Sequence, residues 1–150
     1  IFQQKDFRLS KLQEEFSLYM PRLNTIKQAF IDWSWSSDEI LRFIDAFDVP
    51  YAGASTFLLK KRVFLKGCEL DLNVGSFHPF QSGIIFRKMK STLFVATTEG
   101  ALIVEKVFDN EGNNFLENIH LGDRFYTPLK YLEKAKQFRA VYLPKGLKFE

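Results

Sequence analysis

The segment "SSDEILRFIDAFDVPYAGASTFLL", residues 36–59, contains an abrupt change of hydrophobic period, which constrains the fold more than any other feature. Ser36 and Glu39 have the spacing of a capping box, in which each side chain satisfies a free backbone amide of the other residue. Apolar residues then recur with the period of a helix and predict one buried stripe: Ile40, Phe43, Ile44 and Phe47. Because Pro50 disfavours helical geometry at the residue before it, we expect the helix to end near Asp48.

The residues after Pro50 predict a fixed corner between this helix and a sheet. Gly53 tolerates backbone conformations that other residues avoid, and its small neighbours allow two parts of the chain to approach closely. Beyond Gly53 the apolar period falls towards 2 and turn residues separate short β-rich runs. The predicted strands are Thr56 to Leu59, turned by Lys60 and Lys61 into Arg62 to Leu70, then Gly83 to Arg87, Thr92 to Thr97 and Ala101 to Phe108.

Closely spaced strands after one amphipathic helix predict a mainly β (α+β) fold, built as a small open antiparallel barrel of the OB-like type. A short C-terminal helix is predicted from Thr127 as its cap and Pro128 at its first position. It would carry Leu129, Leu132 and Ala135 on one side. The tail "VYLPKGLKFE" is typical of an edge strand or an exit arm.

A chain of 150 residues fits one domain with an ordinary core. We divide it into a connecting arm, residues 1–30, with a short helix near Leu9 to Tyr19, and a barrel domain, residues 31–150. Cys68 is the only cysteine, so no internal disulfide is possible and a reducing compartment, the cytoplasm, is favoured. No apolar run approaches the roughly 18 residues of a membrane span, so we predict no membrane partner.

The net charge of +3 is small, but its distribution is uneven. Two basic clusters fall on predicted hairpins, and their cations are expected to project away from the sheet, where they could contact phosphates. A solvated edge that deters aggregation between sheets explains the same residues. The clusters are Lys60, Lys61 and Arg62, and Arg87, Lys88 and Lys90.

Trp33 and Trp35 alternate with polar residues, so their indoles share one face if the segment is extended. They predict either a stacking platform for a planar ligand or burial against the following helix. These two residues and the six cations form our candidate substrate-binding set.

Catalytic and metal chemistry have little support. His78, His120 and Cys68 lack partners at the spacings typical of metal sites. His120 with Asp123 has the residue types of a base and its orienting carboxylate, but "HLGDRF" is also an ordinary turn sequence. We therefore predict no catalytic, cofactor-binding or metal-binding residue in this chain.

Three motifs taken together resemble the C-terminal half of the formyltransferase family, which includes a branch that acts on methionyl-tRNA. They are "YMPRLNT", "IDWSWSSDEILRFIDAFDVPYAGASTF" and "GDRFYTP". The "HPFQSGII" run, from His78 to Ile85, resembles the strand entry of family members. Ala52 stands where the family has a second proline. The positions that match the family motifs are Pro21, Arg22, Leu23, Ile31, Asp32, Trp33, Pro50, Tyr51, Gly53 and Ala54.

The resemblance implies a capped helix, an aromatic-rich corner and an open barrel. It also implies a separate N-terminal Rossmann-like domain that binds 10-formyltetrahydrofolate and supplies the catalytic residues, so that this chain is a piece of a longer protein and is inactive alone. One implied role is positioning of the amine acceptor, with transfer RNA as a partner in the RNA branch. The alternative is a structural or self-association domain of an amino-sugar type N-formyltransferase that binds no RNA. The sequence leaves the oligomeric state open.

Overall fold

A computed structural model of the chain describes residues 10–11, 13–144 and 146–149. Its helices are α1 (Thr25–Gln28), α2 (Ser37–Ala46) and α3 (Leu129–Gln137). Its strands are β1 (Ala54–Leu58), β2 (Lys61–Asp71), β3 (Ile85–Met89), β4 (Thr92–Ala96), β5 (Ala101–Phe108), β6 (Ala140–Leu143) and β7 (Gly146–Phe149).

The predicted capping box opens α2. The Ser36 hydroxyl accepts from the Glu39 amide at 3.3 Å, and the Glu39 carboxylate accepts from the Ser36 amide at 3.0 Å. The Ser36 hydroxyl also donates to the Glu39 carboxylate at 2.8 Å, and this bond, together with the one from the Ser36 amide, lowers the pKa of Glu39 and keeps its carboxylate charged at the positive end of the helix. Ile40, Ile44 and Phe47 are buried under the sheet, as the apolar period predicts, whereas Phe43, the fourth residue of the predicted stripe, is only partly buried.

The main sheet has the order β1-β2-β5-β4-β3 and every neighbouring pair is antiparallel. A segment near residue 125 bridges its two edges, because Tyr126 pairs with Phe57 of β1 while Arg124 pairs with Ile84 at the entry of β3. The curled sheet encloses the core together with α2. The mainly β, open barrel-like architecture predicted from the sequence is confirmed.

The corner between α2 and β1 is tightly fixed. Gly53 has a φ of +109°, and a Cβ atom there would lie 2.8 Å from the carbonyl oxygen of Leu65. The carboxylate of Asp48 accepts from the amide of Gly67 at 2.9 Å, and the Lys66 ammonium donates to the carbonyl of Tyr51. Both contacts hold the corner against β2, so this segment is a structural joint.

The antiparallel topology places three turns at one end of the sheet. Strands β1, β3 and β5 run in the same direction, so each ends at that side. The β1–β2 turn, the β3–β4 turn and the tip at residues 109–113 therefore lie at the same end. The strand order puts the tip after β5 between the two basic hairpins.

Several local predictions are corrected. The first hairpin turns at Leu59 and Lys60, one residue earlier than predicted, because Leu58 pairs with Lys61. Thr127 does not cap α3; its hydroxyl lies 3.3 Å from that of Thr56, and Pro128 occupies the cap position. Leu129 is 67% exposed, so only Leu132 and Ala135 of the predicted stripe are buried.

The two ends of the described chain also differ from expectation. Where a helix near Leu9 to Tyr19 was predicted, a single 3-10 turn spans Glu14–Phe16, and Leu9 lies outside the described residues. The C-terminal tail forms the hairpin β6–β7. None of the helices in the described ranges combines the length and apolar character that crossing a membrane requires.

Candidate functional site

The first basic hairpin exposes two lysines at its turn. Leu59 and Lys60 both have positive φ, +47° and +67°, as a two-residue hairpin turn of type I′ requires. This geometry leaves the side chains of Lys60 and Lys61 exposed. The Lys61 ammonium lies 5.6 Å from the centre of the Phe115 ring.

Arg62, the third cation of this cluster, is part of the fold. Its guanidinium donates to the carbonyl of Ile26 and the hydroxyl of Ser55, each at 2.9 Å. It also lies 4.3 Å from the ring of Phe30 and 4.9 Å from that of Phe64. Burial lowers its pKa. The expectation that the whole cluster projects away from the sheet is wrong for this residue, which joins β2 to α1.

The exposed lysines of this hairpin border an open groove of about 620 Å³ with mixed charge. Asp109 and Glu111, on the tip after β5, supply carboxylates to the same groove, and Phe57 and Tyr131 supply aromatic surface. Hydrogen bonds led by the backbone amide of Asn113 lower the pKa of Asp109 and keep it charged. The first basic cluster therefore faces opposite charge.

The second basic hairpin also divides its cations between fold and surface. The Lys88 ammonium donates to the carbonyls of Leu116 and Ile119 at 3.1 and 2.8 Å and holds the 3-10 turn Leu116–Asn118. The prediction that Lys88 projects away from the sheet is therefore wrong, as it is for Arg62. Arg87 and Lys90 are exposed, and Lys90 sits in the turn with a φ of +50°.

Arg87 stands among aromatic rings that the sequence reading did not bring together. Its guanidinium lies 5.7 Å from the ring centre of Phe86 and 5.1 Å from that of Phe94. Phe86 lies 5.0 Å from Phe77 and 6.4 Å from Phe94, measured between ring centres. We name this group, Phe77, Phe86, Arg87 and Phe94, the outer aromatic cluster.

Trp33 and Trp35 do not share a face. Trp33 is buried, stacks on Phe125 with ring centres 5.8 Å apart and donates its indole N–H to the Thr56 hydroxyl at 2.9 Å. Trp35 is half-buried and packs edge to face with Phe43, with ring centres 5.0 Å apart. Trp33 has the core position of the burial interpretation, whereas Trp35 lines an apolar groove of about 310 Å³ between α1, α2 and α3.

The histidines belong to turns. Asp123 accepts from the backbone amide of His120 at 2.8 Å, while its carboxylate is 3.8 Å from the exposed His120 ring. The His78 ring accepts from the amide of Phe80 and opens the 3-10 turn Pro79–Gln81. Within the described ranges, no three His, Cys, Asp or Glu side chains converge as metal ligands. Burial raises the pKa of the Cys68 thiol and makes it unreactive.

Comparison with protein families identifies the barrel. A family model described as the formyl transferase C-terminal domain matches residues 25–115, which span α1, α2, all five strands of the main sheet and the tip. The chain belongs to this family. No curated protein matches the chain. The family assignment agrees with the corner at Gly53 and with the barrel, and it associates the chain with formyltransferases.

Proposed function

We propose that this chain is the non-catalytic C-terminal part of a formyltransferase and positions the amine acceptor of the reaction. The parent protein would transfer a formyl group, a one-carbon unit, from 10-formyltetrahydrofolate. The family implies an N-terminal catalytic domain, to which we assign the donor and the catalytic residues. We assign no role in donor binding or catalysis to any residue of this chain, and from its single cysteine we expect the protein to work in the cytoplasm.

The observation that carries the acceptor-positioning role is the presence of two basic turns at the same end of the barrel. Lys60, Lys61, Arg87 and Lys90 are exposed there on two hairpins with rigid sheet behind them. Cations on a rigid frame make sequence-independent contacts to phosphates, and such contacts fix the orientation of a nucleic acid. These features favour a transfer RNA, such as methionyl-tRNA, as the acceptor that the chain orients.

Binding of initiator methionyl-tRNA at two salt concentrations tests this proposal. We expect measurable affinity at low salt that falls steeply as salt rises, because phosphate contacts release condensed cations. Lys60→Ala with Lys61→Ala removes two exposed charges from the first turn, and the control Lys106→Ala removes one exposed cation from β5, outside both turns. Absence of binding at low salt would remove the RNA branch of the proposal.

A structural or self-association role is the second candidate, and the connecting arm favours it. Between residues 16 and 26 the arm exposes six large apolar side chains: Phe16, Leu18, Tyr19, Met20, Leu23 and Ile26. A stretch of this kind is typical of a surface that another protein surface covers. Sedimentation velocity over a range of protein concentrations separates the roles, because self-association predicts a dimer that Leu18→Ser with Met20→Ser disrupts.

A further inference from the structure

The outer aromatic cluster lies on the outside of the barrel. Phe94 stands between Leu93 and Val95 in β4, and both of those neighbours are fully buried in the core. Because side chains alternate between the two faces of a strand, Phe94 points away from the core. Phe77, Phe86 and Phe94 are all only partly buried, so each of the three rings keeps surface that solvent reaches.

An irregularity in β3 brings the rest of the cluster to the same face. Ile85 pairs with Val95 and Arg87 pairs with Phe94, so β3 contains one more residue than β4 over this interval. This is a β-bulge, which redirects side chains and is over-represented beside functional sites. As a result Phe86 and Arg87, which are consecutive, both contact the ring of Phe94.

The charge on the strands that carry the cluster, β3 and β4, has one sign. From residue 72 to residue 98 the sequence contains Arg87, Lys88 and Lys90 and no aspartate or glutamate. Lys88 is committed to two carbonyls, so Arg87 and Lys90 supply the exposed charge. Phe94 of β4 pairs with Ile103 of β5, which in turn pairs with Glu69 of β2. Glu69 therefore lies two strands away from Phe94. An anionic partner therefore meets aromatic surface flanked by cations.

We propose that the outer aromatic cluster is a stacking platform for unpaired bases of a single-stranded nucleic acid. Rings on a sheet surface next to arginine and lysine provide the two interactions that such strands use, base stacking and phosphate neutralisation. The biological identity of the strand rests on the proposed acceptor role. The platform itself is a site separate from Lys60 and Lys61.

The test compares two fluorescent strands in an anisotropy titration at low salt. One is an oligouridylate of about 12 nucleotides, within the site size of a single OB-like fold, and the other is an abasic strand with the same number of phosphates. We expect the uridylate to bind about tenfold more tightly, since each stacked base contributes at least a several-fold gain. Equal affinities for the two strands, or no binding of either, would overturn the platform.

Two variants locate the stacking. Phe94→Leu and Phe86→Leu should bring the affinity ratio of the two strands close to one, whereas Arg87→Gln should weaken both strands alike and leave the ratio nearly unchanged. Urea unfolding of each variant confirms that it folds; if Phe94→Leu does not, the partly exposed Phe86→Leu decides. An unchanged ratio in the folded phenylalanine variant contradicts the proposal, as does a concentration-dependent dimer that Arg87→Glu abolishes.

The platform and the proposed function fail independently. If the strands bind equally while methionyl-tRNA still binds through Lys60 and Lys61, the platform is wrong and acceptor positioning stands. If the uridylate is preferred but methionyl-tRNA does not bind, the platform stands and the acceptor is not that RNA.

Discussion

The two basic hairpins have similar sequences of charge and very different surroundings. Each contains three cations, and in each the fold uses one of them internally: Arg62 in the first and Lys88 in the second. The exposed lysines of the first hairpin share a groove with Asp109 and Glu111. The exposed Arg87 of the second stands on phenylalanine rings instead.

This difference shows why a run of cations in a sequence does not by itself define an anion-binding surface. Lysines opposite carboxylates lose part of their attraction for a phosphate, whereas cations beside uncharged rings keep it. The second hairpin should therefore hold an extended polyanion more firmly than the first, whose exposed lysines make weaker phosphate contacts. The following predictions, from the largest expected effect to the smallest, sharpen or break this contrast.

Removal of Arg62 should have the largest effect on stability. Arg62→Ala deletes two hydrogen bonds from a partly buried charged donor and two contacts with aromatic faces, so we expect a loss of about 3 kcal/mol in the free energy of unfolding. Urea denaturation measures it. The control, Lys60→Ala, should change stability by less than about 0.5 kcal/mol. Equal effects of the two substitutions would mean that the guanidinium does not join β2 to α1.

Replacement of Lys88 should come next. Lys88→Met keeps the aliphatic stem but removes the donor to the carbonyls of Leu116 and Ile119, for an expected loss of about 2 kcal/mol. The control is Lys90→Gln, which removes one exposed charge from a turn and should leave the free energy of unfolding nearly unchanged. Amide hydrogen exchange should show the loss concentrated at residues 115–119; a uniform change across the barrel would argue against this anchoring role.

Substitutions in the turn of the first hairpin should raise the stability of the protein. Leu59 and Lys60 both adopt positive φ, which asparagine and glycine tolerate better than other residues. The double substitution Leu59→Asn with Lys60→Gly should raise the free energy of unfolding by about 1 kcal/mol. Thermal unfolding measures the gain. Lys61→Gly, on the adjacent strand position, is the matched control and should lower stability.

The smallest predicted effect is a pH dependence at the first groove. The folded pKa of Asp109 lies below its ordinary value of 3.8 because the amide of Asn113 and further donors bind the charged carboxylate. Its contribution to stability is therefore present above pH 3.8 and is lost as pH falls through the lower folded pKa. The stability difference between the wild type and Asp109→Asn should shrink over that range. A difference that stays constant there would mean that these hydrogen bonds do not favour the charged form.

Local chemistry was predictable from the sequence, and long-range partners were not. Ser36 and Glu39 are three residues apart, so their capping box could be predicted from spacing alone. Arg62 reaches Ile26, 36 residues away, and Lys88 reaches Ile119, 31 residues away, so nothing local revealed that they were engaged. Hairpin position was predictable to within two residues, since β3 spans Ile85–Met89 where Gly83 to Arg87 was predicted, but the orientation of each cation was not.

The outer aromatic cluster escaped prediction for a related reason. Strict alternation along β3 places Phe86 and Arg87 on opposite faces, and only the bulge brings both to Phe94. Trp33 and Trp35 show the reverse case, in which alternation predicted a shared face that the turn at Asp32 and Ser34 removes. The candidate set from the sequence thus contained Arg87 without its phenylalanine neighbours.

The most direct test of the central claim, that this barrel positions a nucleic acid acceptor through its exposed hairpin cations, is the salt dependence of methionyl-tRNA affinity. The slope of the logarithm of the binding constant against that of salt counts phosphate contacts, at roughly 0.9 per contact on a duplex. We predict that Lys60→Ala with Lys61→Ala lowers the magnitude of this slope by up to about 2. An unchanged slope, or no affinity at low salt, would contradict the claim.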